Sequence, residues 1–285
     1  MNRRKFISHA AAGLGSTCLA PRAIADLLVL DTPHRAEATD TVVLGKTGIR
    51  TSRLAMGTGT VGFGGSSNQT RAGSLTRLLR TGYDRGLTLF DTADSYGSHP
   101  EVAEAVAKLP RDKVVLMTKC DIREPKEAKA AIDRYRRELK TEYIDILLIH
   151  CVTEDDWTTR YRGVMDVFSE AKQKGIIKAH GVSCHSIEAL RAAAASTWVD
   201  VDLVRLNPVG AHMDADPQTV IGVIKQMRAQ GKGIIGMKIL GQGAMRKRQD
   251  EAIRFALGTG VLDAFTIGAE TDGEQSDLIK RVAAA

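Results

Sequence analysis

The chain has 285 residues, 43% hydrophobic and 26% charged. That is enough to bury a full core, and it suits one large α/β domain better than several small ones. Its net charge of +6 does not indicate nucleic-acid or membrane affinity, because Arg3, Arg4, Lys5 and Arg22 supply four of those charges within residues 1–25, where no acid stands; the remainder is an ordinary soluble surface with no nucleic-acid partner expected.

Residues 1–25 read as a targeting segment: Asn2-Arg3-Arg4-Lys5-Phe6-Ile7, a weakly apolar stretch rich in Ala and Gly, then Ala23-Ile24-Ala25 as a small-residue cleavage site. The segment resembles a twin-arginine export signal. It is too short and glycine-rich to span a bilayer, so no stable membrane insertion is expected after cleavage. The resemblance implies the twin-arginine export machinery as a partner, a periplasmic or otherwise exported destination, and a cofactor acquired before export. Residues 26–40 form a polar linker, and residues 41–285 the folded domain.

At the start of that domain, Val42 to Gly48 followed by Arg50 to Leu54 reads as a hairpin placed to plug the end of a barrel. Eight apolar runs follow in order: Leu54–Gly57, Leu87–Phe90, Val114–Met117, Ile144–Ile149, Ile176–Val182, Val201–Leu206, Gly233–Met237 and Leu262–Ile267. Their starts recur roughly every 30 residues, the interval that a strand, a helix and two short loops require. Helical faces lie between them at Leu75, Leu78 and Leu79, at Val164, Val167, Phe168 and Ala171, and at Val220, Ile224 and Met227. Asp216-Pro217 reads as an N-cap with a first-turn proline, and Thr271-x-x-Glu274 as a capping box. Strict alternation predicts a closed (β/α)8 TIM barrel with an N-terminal β-hairpin; an open doubly wound sheet is the alternative, but it lacks a glycine-rich first turn.

Such a barrel builds its site at the C-terminal ends of the strands. Strand two ends in Phe90 to Gly97, strand three in Met117-Thr118-Lys119 and strand four in Leu148-Ile149-His150. Asp91, Tyr96, Lys119 and His150 thus meet at one rim and form a proton donor for a carbonyl. A neighbouring lysine cation is expected to lower the tyrosine pKa, Asp91 to hold Lys119, and His150 to orient the carbonyl or share in the proton relay. No side chain provides a hydride, so a nicotinamide is implied.

With Leu44 to Gly48, Ser52 to Gly57, Ile144-Asp145, Leu147 to His150, Gly181-Val182-Ser183 and Ile267-Gly268-Ala269, the chain resembles the aldo/keto reductase superfamily from Leu44 onward. The resemblance implies Tyr96 as general acid tuned by Lys119 and Asp91, with the family spacing selecting Asp91 over Asp94, and NADP or NAD as cofactor. It places cofactor contacts at Ser183, Cys184, Met237, Lys238, Gly241, Gly243, Gly268 and Ala269. Cys184 replaces an asparagine, Leu203 a glutamine and Met237 an aromatic, while Glu270 and Leu278 stand near the 2′-phosphate positions; an acidic Glu270 disfavours tight NADP selection. Lys238, Arg246 and Lys247 flank Gly241-Gln242-Gly243 as a pyrophosphate site.

Cys120, Cys151 and Cys184 are an odd set, a poor disulfide framework. With His185 and His99 they suggest a metal or redox site, but strand alternation turns each away from the barrel, as a buried core cysteine with no metal. Trp157 and Tyr161 line a pocket or pack helices. A final helix ending at Ala285 predicts an open pocket. The expected activity is NAD(P)-dependent reduction of an aldehyde, ketone or keto-sugar. A lyase, hydrolase or isomerase with permanently bound NAD(P), and a non-enzymatic binding barrel, are the alternatives.

Overall fold

The computed structural model describes residues 35–285, so residues 1–25, read above as an export signal, and most of the expected linker lie outside the described residues. A short antiparallel hairpin, β1 (Thr41–Val43) and β2 (Arg50–Ser52), precedes eight parallel strands: β3 (Leu54–Gly57), β4 (Leu89–Asp91), β5 (Val115–Cys120), β6 (Ile144–Val152), β7 (Ile177–Cys184), β8 (Val201–Arg205), β9 (Gly233–Met237) and β10 (Ala264–Gly268). The eight pair in sequence order, and β10 closes on β3 as a barrel. Each apolar run of the sequence becomes one strand. Several strands extend beyond their run at the C-terminal end, because the residues that finish them are polar.

Alternation divides the buried side chains into two layers. Ala55, Leu89, Met117, Leu148, Leu203 and Ile235 fill the barrel interior. Phe90, Leu116, Leu147, Val182 and Val204 face outward to the helices. The hairpin contributes Leu44 and Ile49 to the interior layer, and it sits at the N-terminal end, where Lys46 N–H donates to the Gly231 carbonyl at 2.8 Å. Burying each of these two side chains stabilises the fold by roughly 1.5–3 kcal/mol. Packing is tight enough to dictate glycine at 181, where a Cβ would stand 1.7 Å from the Val201 carbonyl oxygen on the neighbouring strand.

The outer ring is α1 (Asn68–Ala72), α2 (Leu75–Asp84), α3 (His99–Val106), α4 (Pro125–Leu139), α5 (Trp157–Arg160), α6 (Arg162–Gln173), α7 (Ile187–Ala195), α8 (Pro217–Ala229), α9 (Gln249–Gly258) and α10 (Asp272–Ala284). Asp216 caps α8, its carboxylate accepting from the Gln218 and Thr219 amides at 3.0 Å. Only half of the expected box forms at α10: Thr271 accepts from the Glu274 amide, but the Glu274 side chain reaches back to the Glu270 amide instead of the cap residue. Among the described residues no helix is long and apolar enough to cross a membrane.

Candidate active site

Strand ends β4, β5 and β6 deliver Asp91, Lys119 and His150 to one rim, and the turn after β4 brings Tyr96 over them. Lys119 is buried. Its Nζ donates to Asp91 Oδ1 at 2.5 Å and to the Thr92 carbonyl at 2.8 Å, and it lies 4.7 Å from the centre of the Tyr96 ring. Burial alone would lower the lysine's pKa, yet the Asp91 carboxylate and the Tyr96 oxygen outweigh it and the net direction is up. The ammonium is therefore permanent. Asp94 is committed elsewhere, accepting from Arg134 at 2.8 and 2.7 Å and from the Tyr135 hydroxyl at 2.9 Å. Of the two aspartates, Asp91 is the one bonded to Lys119.

The expected depression of the Tyr96 pKa is corrected. Burial raises it by more than the Lys119 charge lowers it, so the phenol stays protonated at neutral pH. The ring is flanked by the loop after β3. A Cβ on Gly59 would lie 2.3 Å from Tyr96 Cε2, and one on Gly62 2.8 Å from Cδ1. Glycine at both positions lets the backbone after β3 wall the phenol in. The His150 ring meets Tyr96 edge to face at 5.8 Å.

The three cysteines separate. Cys120 and Cys184 are buried among outward-facing core residues, as alternation predicts. Cys151 is not: β6 bulges between Ile149 and Val152, placing three residues opposite two of β7. Cys151 takes a left-handed φ of 52° there and is exposed, with its sulfur 3.8 Å from His185 Nε2. A bulge breaks the period of two, so the expectation of a buried Cys151 fails. His99 lies outside the site, bridging Glu138 at 2.7 Å and Thr118 at 2.8 Å. Trp157 is fully buried and donates to the Ala189 carbonyl, and Tyr161 bonds Glu154; both pack helices.

Comparisons with known proteins give the family. The sequence model of the aldo/keto reductase family matches residues 55–259. The chain belongs to the aldo/keto reductase family. It is 31% identical over 159 residues to aldo-keto reductase YhdN of Bacillus subtilis, covering 50% of this chain and 46% of that protein. It is 28% identical over 170 residues to the NADH-specific methylglyoxal reductase of Escherichia coli, covering 50% and 51%. The chain thus spans about half the length of these curated relatives. In fold it is similar to the holo form of aldo-keto reductase AKR11C1 from Bacillus halodurans, with a TM-score of 0.69 at 17% identity over 87% of this chain and 92% of that one.

In an aldo/keto reductase a nicotinamide dinucleotide is the group to be tested against the residues present. Two inward-facing hydroxyls near the mouth, Ser183 Oγ on β7 and Thr266 Oγ1 on β10, are buried with no hydrogen-bond partner. Such orphans mark places built for a polar ligand, and the group fits there. Met237 ends β9 on the same inner face. Cys184 does not join them: its thiol points outward and donates to Asp202 Oδ2 at 3.6 Å. Leu203 lies on the inner face with Met237. The strand-end residue is Arg205, in register with Met237, and alternation through Val201 and Leu203 is the signal that finds it. Arg205 pairs with the buried Asp214.

The amides of Gly241 and Gly243 are spent inside their turn, on the Lys238 and Leu240 carbonyls. What this segment offers an anion is side chains: Lys238, half-buried at a left-handed φ of 56°, and the exposed Arg246 and Lys247. Gly268 is exposed and Ala269 buried. The Gln69 amide, donating to the Thr60 hydroxyl and to the Gly57 and Ala269 carbonyls, ties this edge together. Glu270 accepts from Asn68 Nδ2 at 2.7 Å, whereas Leu278 faces the core. His185 reports the field at the mouth: burial and then the charge of Arg205 push it down to about 3, with Lys238 and Lys119 adding to the effect.

Proposed function

We propose that this aldo/keto reductase is an NAD(P)-dependent oxidoreductase that reduces an aldehyde, ketone or keto-sugar to the alcohol, with Tyr96 as general acid. The observation that carries this reading is the buried Lys119 ammonium, fixed between Asp91 and the Thr92 carbonyl and set against the ring of the half-buried Tyr96. A bound dihydronicotinamide supplies the hydride. Tyr96 gives its proton to the carbonyl oxygen. The phenolate so formed lies beside the Lys119 cation, which stabilises negative charge that exists only as the proton leaves. Burial keeps the acid loaded and the lysine makes its discharge feasible.

Ser183 and Thr266 would hold the nicotinamide end, and Lys238, Arg246 and Lys247 the pyrophosphate. Glu270 would repel a 2′-phosphate, so NADH is expected to serve at least as well as NADPH. Steady-state assays of the purified protein with aldehydes, ketones and keto-sugars and each cofactor test this. Turnover with NADH is the expected result; no turnover with either nucleotide overturns the reading.

We further propose that residues 1–25 act as a twin-arginine export signal and that the protein works in the periplasm. The support is the Arg3-Arg4 pair and the Ala23-Ile24-Ala25 site. N-terminal sequencing of exported protein should begin at Asp26, and the double variant Arg3→Lys, Arg4→Lys should remain uncleaved. Recovery of active protein with residues 1–25 intact and confined to the cytoplasm would count against it.

A further inference from the structure

His150 is held on one edge only. Its Nδ1 lies 2.8 Å from Asp121 Oδ1 and 3.4 Å from Ser95 Oγ. Nε2, on the opposite edge, is bonded to no described residue, yet it is not among the buried atoms shut off from solvent. A carboxylate can only accept. In a neutral imidazole the proton must therefore sit on Nδ1, and Nε2 carries a lone pair.

The ring is neutral at physiological pH, since burial lowers its pKa more than Asp121 raises it and the Lys119 charge lowers it further. Asp121 itself stays ionised: burial raises its pKa, but the hydrogen bond from His150, the charge that this ring carries only in acid, and the hydrogen bond from Ser95 bring it below the usual carboxylate value. Arg123 steadies the pair from the loop after β5, donating to the His150 carbonyl at 2.5 Å. A lone pair at Nε2 repels the oxygen of a carbonyl and accepts the proton of a hydroxyl. Of the two, Tyr96 is then the donor to the carbonyl oxygen, and His150 is matched to a different part of the substrate.

We propose that Asp121 is a positioning residue that locks His150 as an acceptor, and that the site thereby selects carbonyl compounds with a hydroxyl on the adjacent carbon over the same skeletons without it. This rests on the carbonyl-reduction reading above, and names the substrate class. Asp121 is a loop carboxylate, 41% exposed, so its removal spares the core.

The test compares kcat/KM for glycolaldehyde against acetaldehyde and hydroxyacetone against acetone, in wild type and Asp121→Ala, with 15N NMR of the His150 ring in both. Wild type should prefer the hydroxylated member of each pair by about tenfold, one hydrogen bond's worth, chiefly through KM, and its imidazole should show the Nδ1–H pattern. Asp121→Ala should lose most of that preference while the ring moves toward Nε2–H. An Nε2–H ring in wild type, or a preference that is absent or survives in Asp121→Ala, overturns the proposal. Failure to turn over any carbonyl overturns the carbonyl-reduction reading and the substrate preference with it, while the NMR result still decides the tautomer.

Discussion

Replacing Tyr96 by Phe is expected to lower kcat for carbonyl reduction roughly 100- to 10,000-fold, the range over which a positioned proton donor contributes, with little change in nucleotide affinity. Phe keeps the ring that packs against Gly59 and Gly62 and over the Lys119 ammonium, so the fold and the cation's seat should persist. What disappears is the proton. Pre-steady-state and steady-state rates, set beside nucleotide titration by fluorescence, separate the two effects. Wild-type kcat in Tyr96→Phe would remove the tyrosine from the chemistry and leave the lysine as an electrostatic feature of the wall.

A second large effect is expected outside the site, at Asp202. This carboxyl lies on the outer face of β8, fully buried, with Oδ1 unbonded and Oδ2 receiving the Cys184 thiol. Burial, and then the charge of Asp214, push its pKa up to about 8. The unfolded chain releases that proton near the ordinary value of about 4. Between about pH 4 and pH 8 the folded state holds a proton that the unfolded state has given up, so stability falls as pH rises, by at most about 1.4 kcal/mol per unit.

Asp202→Asn removes the titration. Chemical denaturation should find the variant equal to or slightly less stable than wild type at pH 4, and more stable by roughly 2–4 kcal/mol at pH 8. A difference that does not change with pH would show that the carboxyl does not titrate in this window.

How far the molecule could be read from its letters depended on whether a residue's role is local. The barrel strands and their order were legible because Val201, Leu203 and their counterparts repeat with the pleat. That Asp91, Lys119 and His150 would share one rim was legible because they stand at or near the ends of β4, β5 and β6. Arg205, which ends β8 two residues beyond Leu203, was within reach of the same alternation and was not singled out. Cys151 was out of reach, since a one-residue bulge inverts its direction and leaves no mark in the pattern. The Asp121–His150 contact is tertiary, joining a loop to a strand 29 positions away in the chain. The Tyr96 pKa was misjudged for a related reason. A neighbouring charge can be inferred from order along the chain, whereas the depth of burial that outweighs it comes from the Gly59 and Gly62 loop folding across.

The hairpin that carries Leu44 and Ile49 into the barrel interior also bears on traffic. With its floor closed by those side chains, the barrel is a cup and not a conduit: everything that reacts enters and leaves across one rim. A molecule seated down against Ser183 and Met237 must arrive before whatever lies above it and depart after it. With the nicotinamide seated there as proposed above, the expected kinetics are ordered, the nucleotide first in and last out.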